Sequence, residues 1–276
     1  MNRSCVHWIL IVLPSFLPSS AFAQLIVAHR GASHEAPENT LAAFELAWEH
    51  GCDGIEGDFY LTSDRQIVCI HDQDTERTTG KKLPVESSTL EELRDLDAGR
   101  WKGDRWASQL IPTFEEVLGT VPPDGLFVIE LKSKSPIVPV LADELKRLNP
   151  RGIQMLIISF DADTVRACKQ HVPDVPVHWL TSFKQATPLS HYQPTAASVA
   201  KTVRECGADG VGMKGMVEVI DGSFVAALRK AGCEQYHVWT IDSESDARYF
   251  KGLGVYGITT NRPREIGLVV RQSTNP

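Results

Sequence analysis

With 276 residues, 42% of them hydrophobic and 23% charged, the chain carries enough apolar side chains to bury a large core, which excludes wholesale disorder. Its formal net charge of −7 excludes a protein that tracks nucleic acid along the backbone, because such binding rests on a positive surface that displaces phosphate counterions. A small anionic substrate stays compatible with that charge, since one local cation or a bound metal supplies the field that the whole lacks.

The first segment, Met1 to Ala23, has one cation (Arg3), an apolar run from Trp8 to Leu17, and then Ser19-Ser20-Ala21-Phe22-Ala23. This is the pattern of a signal peptide with an Ala-x-Ala cleavage site before Gln24. The run is shorter than the ~20 residues of a membrane span, and Pro14 interrupts it. The expectation is export, to a periplasm or outside the cell, with no stable membrane span in the mature chain. Cys5 leaves with that segment, and Cys52, Cys69, Cys168, Cys206 and Cys233 remain, an odd number without Cys-x-x-Cys spacing. No disulfide framework is expected from them.

Beyond Gln24, short runs rich in Val and Ile alternate with segments of helical apolar spacing, the sign of a parallel sheet wrapped by helices. Strands are predicted at Leu25–His29, Gly54–Leu61, Leu126–Leu131, Met155–Phe160, Val175–Leu180, Gly210–Lys214, Tyr236–Ile241 and Gly257–Thr260. Helices are predicted at Thr40–His50, Ile137–Leu148, Thr164–Gln170, Ala196–Cys206, Ser223–Ala231 and Glu244–Leu253, several of them stopped by Gly. Eight strands with helices between them favour a closed (β/α)8 barrel, an α/β fold of about 250 residues, as one domain over residues 24–276. Two regions break the alternation. Gln66–His71 follows the second strand after the turn Thr62-Ser63-Asp64-Arg65, too soon for a parallel crossover, so it is predicted as a hairpin strand at the rim. Thr75 to Pro112 then reads as an inserted excursion on the rim with a short helix around Thr89–Leu96, on the face where loops after strands build active sites.

The second strand holds Gly54-Ile55-Glu56-Gly57-Asp58-Phe59. Side chains alternate across a strand, so if Ile55 and Phe59 face the helices, Glu56 and Asp58 both face the barrel axis. Two adjacent carboxylates without water cost several kcal/mol unless a positive group sits between them. The next long strand repeats the pattern with Glu130 and Lys132 on one face, which adds a third oxygen donor. Three carboxylates with no Cys or His at ligand spacing select one hard divalent cation, Mg²⁺ or Ca²⁺. The competing reading is a plain salt bridge from Lys132 to one of the acids. His29 closes the first strand, and His71 ends the hairpin strand at the same rim. Two imidazoles there can take a proton from a nucleophile and give one to a leaving alkoxide. Arg30 offers a donor fork suited to phosphate, and Gly31 lets the backbone approach a ligand. Asn39 and Thr40 precede a helix and read equally as caps or as ligand contacts. Trp239, near a strand end, reads as core or as an apolar wall for substrate.

Taken in order, His29-Arg30-Gly31, Pro37-Glu38-Asn39-Thr40, Glu56-x-Asp58, His71-Asp72, Arg77-Thr78-Thr79, Glu130-x-Lys132 and Trp239-Thr240 resemble the glycerophosphodiester phosphodiesterase family over almost the whole mature chain. The resemblance implies a barrel with a small insertion after the His-Asp strand, and a metal held by Glu56, Asp58 and Glu130. It also implies an acid/base pair of His29 and His71, phosphate neutralisation by Arg30 and Lys132, and Trp239 beside the alcohol. The implied reaction is hydrolysis of small glycerophosphodiesters to glycerol 3-phosphate and a free alcohol. Which histidine is acid stays open, as does whether water or the glycerol 2-hydroxyl attacks first. A phospholipase D-like or lyase activity on lysophospholipids or sphingolipids is the alternative enzyme, and a non-catalytic phosphodiester-binding protein is the alternative from another class. One departure is Thr260-Asn261-Arg262-Pro263, where the family often carries Thr-Asp before x-Pro, so the role of Asn261 is in question.

Overall fold

The computed structural model describes residues 24–272, so the segment read as an export signal lies outside the described residues. Nine strands form in chain order: β1 Leu25–His29, β2 Gly54–Leu61, β3 Ile67–Cys69, β4 Leu126–Leu131, β5 Gln154–Ser159, β6 Val177–Thr181, β7 Gly210–Lys214, β8 Tyr236–Trp239 and β9 Gly257–Thr260. All but β3 are parallel, in the order β1-β9-β8-β7-β6-β5-β4-β2, and pairing of β1 with β2 closes the ring. The fold is therefore the expected eight-stranded barrel. The strand β3 runs antiparallel to the far end of β2, with Phe59 opposite Cys69, which is the predicted hairpin, one residue shorter at its start and two at its end.

The helices α1 (Leu41–Glu49), α5 (Ile137–Leu148), α6 (Ala162–His171), α7 (Ala196–Cys206), α8 (Gly222–Lys230), α9 (Glu244–Gly252) and α10 (Pro263–Arg271) occupy the connections between barrel strands and the end of the described chain. Five of these helices start on side-chain caps: Thr40, Asp161, Thr195, Asp221 and Ser243 each accept a backbone N–H of the first turn. Helix α10 was not among the predicted elements, although Pro263 at its first turn is a start signal. Among the described residues no helix is long and apolar enough to cross a membrane.

Alternation along the strands divides the apolar residues into two layers. Val27, Leu126, Val128, Leu156, Ile158 and Leu180 fill the barrel interior, while Ile55, Phe59, Phe127, Ile129 and Leu131 pack outward beneath the helices. Each such fully buried side chain contributes about 1.5–3 kcal/mol. The excursion after β3 is more structured than the sequence suggested. It contains α2 (Glu76–Thr79) and α3 (Leu90–Arg94), three single 3₁₀ turns, and a core of its own from Val68, Ile70, Val85, Leu93, Ala98 and Ile111. The chain returns through α4 (Phe114–Leu118), started by the reciprocal Thr113–Glu116 capping box. Phe114 of that helix meets Phe59 and Phe127 at centroid distances of 5.4 and 5.6 Å, which anchors the return to the barrel wall. The five cysteines of the described chain are buried and unpaired.

Candidate active site

Because Ile55 and Phe59 are taken by the outer layer, β2 turns Glu56 and Asp58 inward, and β4 turns Glu130 inward opposite them, with Asp58 and Glu130 as register partners. One oxygen from each of Glu56, Asp58 and Glu130 lies within 4.8 Å of the other two. The three side chains are almost fully buried, so their charges repel with little help from water. Burial, followed by the charges of Asp58 and Glu130, pushes the Glu56 carboxyl well above the usual carboxylate range. Burial and then Asp58 bring Glu130 up to about 7, against the pull of Lys132. Burial also works against ionised Asp58, but Arg30, Lys132 and His71 outweigh it and hold that carboxyl at about 2.

Lys132 Nζ lies 2.8 Å from Glu130 Oε1 and 3.4 Å from Asp58 Oδ1, and Arg30 Nε lies 3.2 Å from Asp58 Oδ2. The salt bridge considered for Lys132 therefore forms, and it reaches two acids. It leaves Glu56 Oε1 buried with no partner, and the longer contacts to Asp58 are too poorly aligned to satisfy Asp58 Oδ1 or Arg30 Nε by hydrogen bonding. Three carboxylates against two cations, with oxygen lone pairs left over, fit a hard divalent cation.

The turn after β1 supplies the next group of residues. Arg30 and Gly31 both adopt positive φ, 56° and 80°. A Cβ on Gly31 would sit 2.5 Å from the backbone carbon of Ala43, so this glycine lets helix α1 approach, rather than a ligand as expected. The reversal aims the Arg30 backbone N–H at Glu56 Oε2, at 3.0 Å, and the guanidinium at Glu38 and Asp58. The two capping candidates divide their work. Thr40 caps α1, whereas Asn39 donates to Asp58 Oδ2 at 2.8 Å and accepts from the Asp58 N–H, fixing that carboxylate.

His29 and His71 line one cavity of about 150 Å³ together with Arg30, Glu56, Glu130 and Lys132, so the fold brings the predicted groups to one rim. His71 Nδ1 is 2.7 Å from Asp72 Oδ1; Asp72 in turn accepts from Arg77, which also forks onto Glu38. The insertion thus reaches the site through Arg77. It reaches it again through Lys102, which donates to the Ser33 carbonyl at 2.7 Å. His29 Nδ1 is 2.7 Å from Asn261 Oδ1, across the β1–β9 junction. Loss of hydration, then the charge of Arg30, lowers the His29 pKa to about 4.

The opposite wall of the cavity is apolar: Ile158, Leu180, Phe160 and Trp239, the last two in edge contact at 5.5 Å. Trp239 is therefore a wall residue. His237 borders the cavity and His178 lies behind it, two residues that no motif in the sequence marks. His178 and His237 stack within the barrel at 5.2 Å between centroids, with their Nδ1 atoms 3.0 Å apart. One must donate and the other accept, which suits neutral rings; burial pushes His178 down to about 4 and also lowers His237 well below the usual imidazole range. Gly210 and Gly212 make room for them, since a Cβ on either would come within 2.6 Å of an imidazole nitrogen. That glycine spacing in β7 was the available signal.

The sequence model of the glycerophosphoryl diester phosphodiesterase family matches residues 29–265. A glycerophosphodiester phosphodiesterase of Caldanaerobacter subterraneus is 32% identical over 252 residues, covering 90% of this chain and 98% of its own. Among solved structures, an Oleispira antarctica phosphodiesterase in complex with the product sn-glycerol-3-phosphate is 25% identical with a TM-score of 0.79, covering 91% of this chain and 98% of that one. A glycerophosphodiester phosphodiesterase from Agrobacterium tumefaciens is 26% identical with a TM-score of 0.72, covering 89% and 99%.

Proposed function

Because the chain belongs to the glycerophosphoryl diester phosphodiesterase family, we propose that it hydrolyses small glycerophosphodiesters to glycerol 3-phosphate and a free alcohol. The observation that carries this reading is one cavity lined by two imidazoles, two fixed cations and Glu56 and Glu130, with Asp58 clustered beside those two carboxylates. Glu56, Asp58 and Glu130 hold one divalent cation, Mg²⁺ or Ca²⁺, which when bound supplies positive charge to the phosphate oxygens. Arg30 and Lys132 border the same cavity and add fixed positive field where charge builds in the transition state. One imidazole takes the proton of the attacking hydroxyl, and the other gives a proton to the departing alkoxide. Phe160 and Trp239 shield the organic part of the substrate from water. The product held by the Oleispira relative supports this substrate class.

The test is to incubate the purified protein, with Mg²⁺ or Ca²⁺, separately with glycerophosphocholine, lysophosphatidylcholine and sphingomyelin. Glycerol 3-phosphate is expected from the first. His29→Ala and His71→Ala should each lower the rate at least ~100-fold with folding intact. Cleavage of the larger lipids instead would establish the phospholipase-like reading, and binding without turnover would make the protein a capture device. A folded His71→Ala enzyme near full activity would remove the histidine pair from the mechanism.

A further inference from the structure

Reading His29 as a proton-transfer group leaves its tautomer unassigned, and the residues behind the ring determine it. His29 ends β1, Asn261 follows β9, and Asp242 follows β8, so three adjacent strands deliver these side chains to one edge of the mouth. Asp242 Oδ1 accepts from the Asn261 backbone N–H at 2.8 Å and from the Thr260 hydroxyl at 3.0 Å. Its other oxygen, Oδ2, faces the Asn261 side-chain nitrogen at 2.6 Å.

An amide can be turned end for end, and only its neighbours decide which end is oxygen. Here the carboxylate decides, because an ionised Asp has nothing to donate and must face the amide NH₂. Asn261 Oδ1 is then turned toward His29 Nδ1, 2.7 Å away, and an amide oxygen can only accept. Nδ1 therefore carries the proton. The Ser33 hydroxyl lies 2.7 Å from the His29 carbonyl and 2.8 Å from the same Oδ1, and its single proton serves only one of them, so Asp242 alone sets the orientation.

We propose that Asp242 and Asn261 are positioning residues that lock His29 in the Nδ1–H tautomer, leaving Nε2 with the free lone pair for proton transfer in the catalytic cavity. The proposal rests on the reading of His29 given above. It also accounts for Asn261 at the position where the sequence departs from the pattern it resembles. The amide can hold the ring only by accepting from it, and Asp242 fixes which end it presents.

Three variants test this. In Asp242→Asn, the introduced amide keeps its oxygen on the Asn261 N–H and the Thr260 hydroxyl, and so turns its NH₂ toward Asn261. That forces the Asn261 amide round, presents NH₂ to His29, and selects the wrong tautomer. The expected result is a fall in kcat of at least about tenfold with KM within about twofold, on acid–base magnitudes. In Asp242→Asn combined with Asn261→Asp, the amide and carboxylate exchange places and every hydrogen bond can re-form, so most of the lost kcat should return. Asn261→Asp alone sets two carboxylates face to face and should be worse than the pair. A merely structural role predicts no such rescue.

A second measurement does not depend on turnover. The ¹⁵N shifts of His29, assigned by their loss in His29→Asn, should show Nδ1 protonated and Nε2 bare in the parent protein, and the reverse in Asp242→Asn. Parent protein with Nε2 protonated, unchanged kcat in folded Asp242→Asn, or an exchanged pair no better than the single variant would each overturn the proposal. If His29→Ala is inactive while these variants behave as the parent, the positioning role alone is lost. If folded His29→Ala keeps full activity, the broader reading of His29 fails, whatever the shifts report.

Discussion

The two imidazoles at the barrel mouth are alike in sequence position, each at the end of a strand, and unlike in what stands behind them. His29 belongs to the barrel wall, is deprived of water, has Arg30 beside it, and turns Nδ1 to the neutral amide of Asn261. His71 belongs to the hairpin, is about one-third exposed, and turns Nδ1 to the Asp72 carboxylate, which Arg77 of the insertion holds in place. An amide partner orients a ring without favouring its charge, whereas a carboxylate partner offers the charged ring an anion. In the proposed mechanism the two rings therefore meet the reaction from different surroundings. The wall thus orients one imidazole, and the hairpin, with Arg77 of the insertion behind Asp72, orients the other.

Removing what both corners share should have the largest effect. Chelation of the divalent cation should lower turnover on the order of 10³-fold, the equivalent of several kcal/mol of transition-state stabilisation, and added Mg²⁺ or Ca²⁺ should restore it. Activity assays before and after chelation check this, and full turnover in rigorously chelated protein would leave the carboxylate cluster without a catalytic use. A smaller effect should follow from making the two corners alike. Asp72→Asn replaces the carboxylate behind His71 by an amide, and kcat should fall about tenfold at neutral pH, with little change in melting temperature because Asp72 is part-exposed. An unchanged kcat would mean that the partner of His71 matters for geometry alone.

The smallest effect is expected in the acid stability of the protein, measured without the cation. The folded pKa of His29, about 4, lies below its ordinary value of 6.5, so in that window the unfolded chain binds a proton that the folded chain refuses. Stability from this group is complete above pH 6.5 and is lost as the pH falls toward 4. His178 acts in the same window and sense. On the other corner, burial would raise the Asp72 carboxyl, but Arg77 and His71 hold it below 3.8, so its contribution persists above that pH and is lost only in stronger acid. Thermal melts across this range should show a shallower slope between pH 6.5 and 4 in His29→Asn, while Asp72→Asn should lower the curve slightly above about 3.8 without changing its slope there, and flatten it only below that pH. An identical slope in His29→Asn would contradict the assigned environment of that ring.

What could be read from the sequence was whatever a local period fixes. Alternation alone places Glu56, Asp58, Glu130 and Lys132 inside once Ile55 and Phe59 are assigned outward, and strand ends place His29 and His71 at one rim. The contacts that were not legible are those made by ring closure. Asn261 and Asp242 meet His29 only because β8, β9 and β1 become neighbours when the barrel shuts. Glu38 looks like an ordinary residue before a helix, yet it joins Arg30 of the wall to Arg77 of the insertion. The core of the insertion also escaped notice, since Val85, Leu93, Ala98 and Ile111 are spaced without any single period and meet only when the excursion folds back on β3.

The two imidazoles wedged across the interior beneath the cavity have a consequence for traffic through it. His237 borders that cavity and stacks on His178 beside the aliphatic filling, so side chains occupy the barrel interior below the mouth. Both halves of a cleaved substrate must depart by the way it came. Phe160 on the apolar wall is about half exposed, so with the proposed substrate a long alcohol group would run outward past it into solvent.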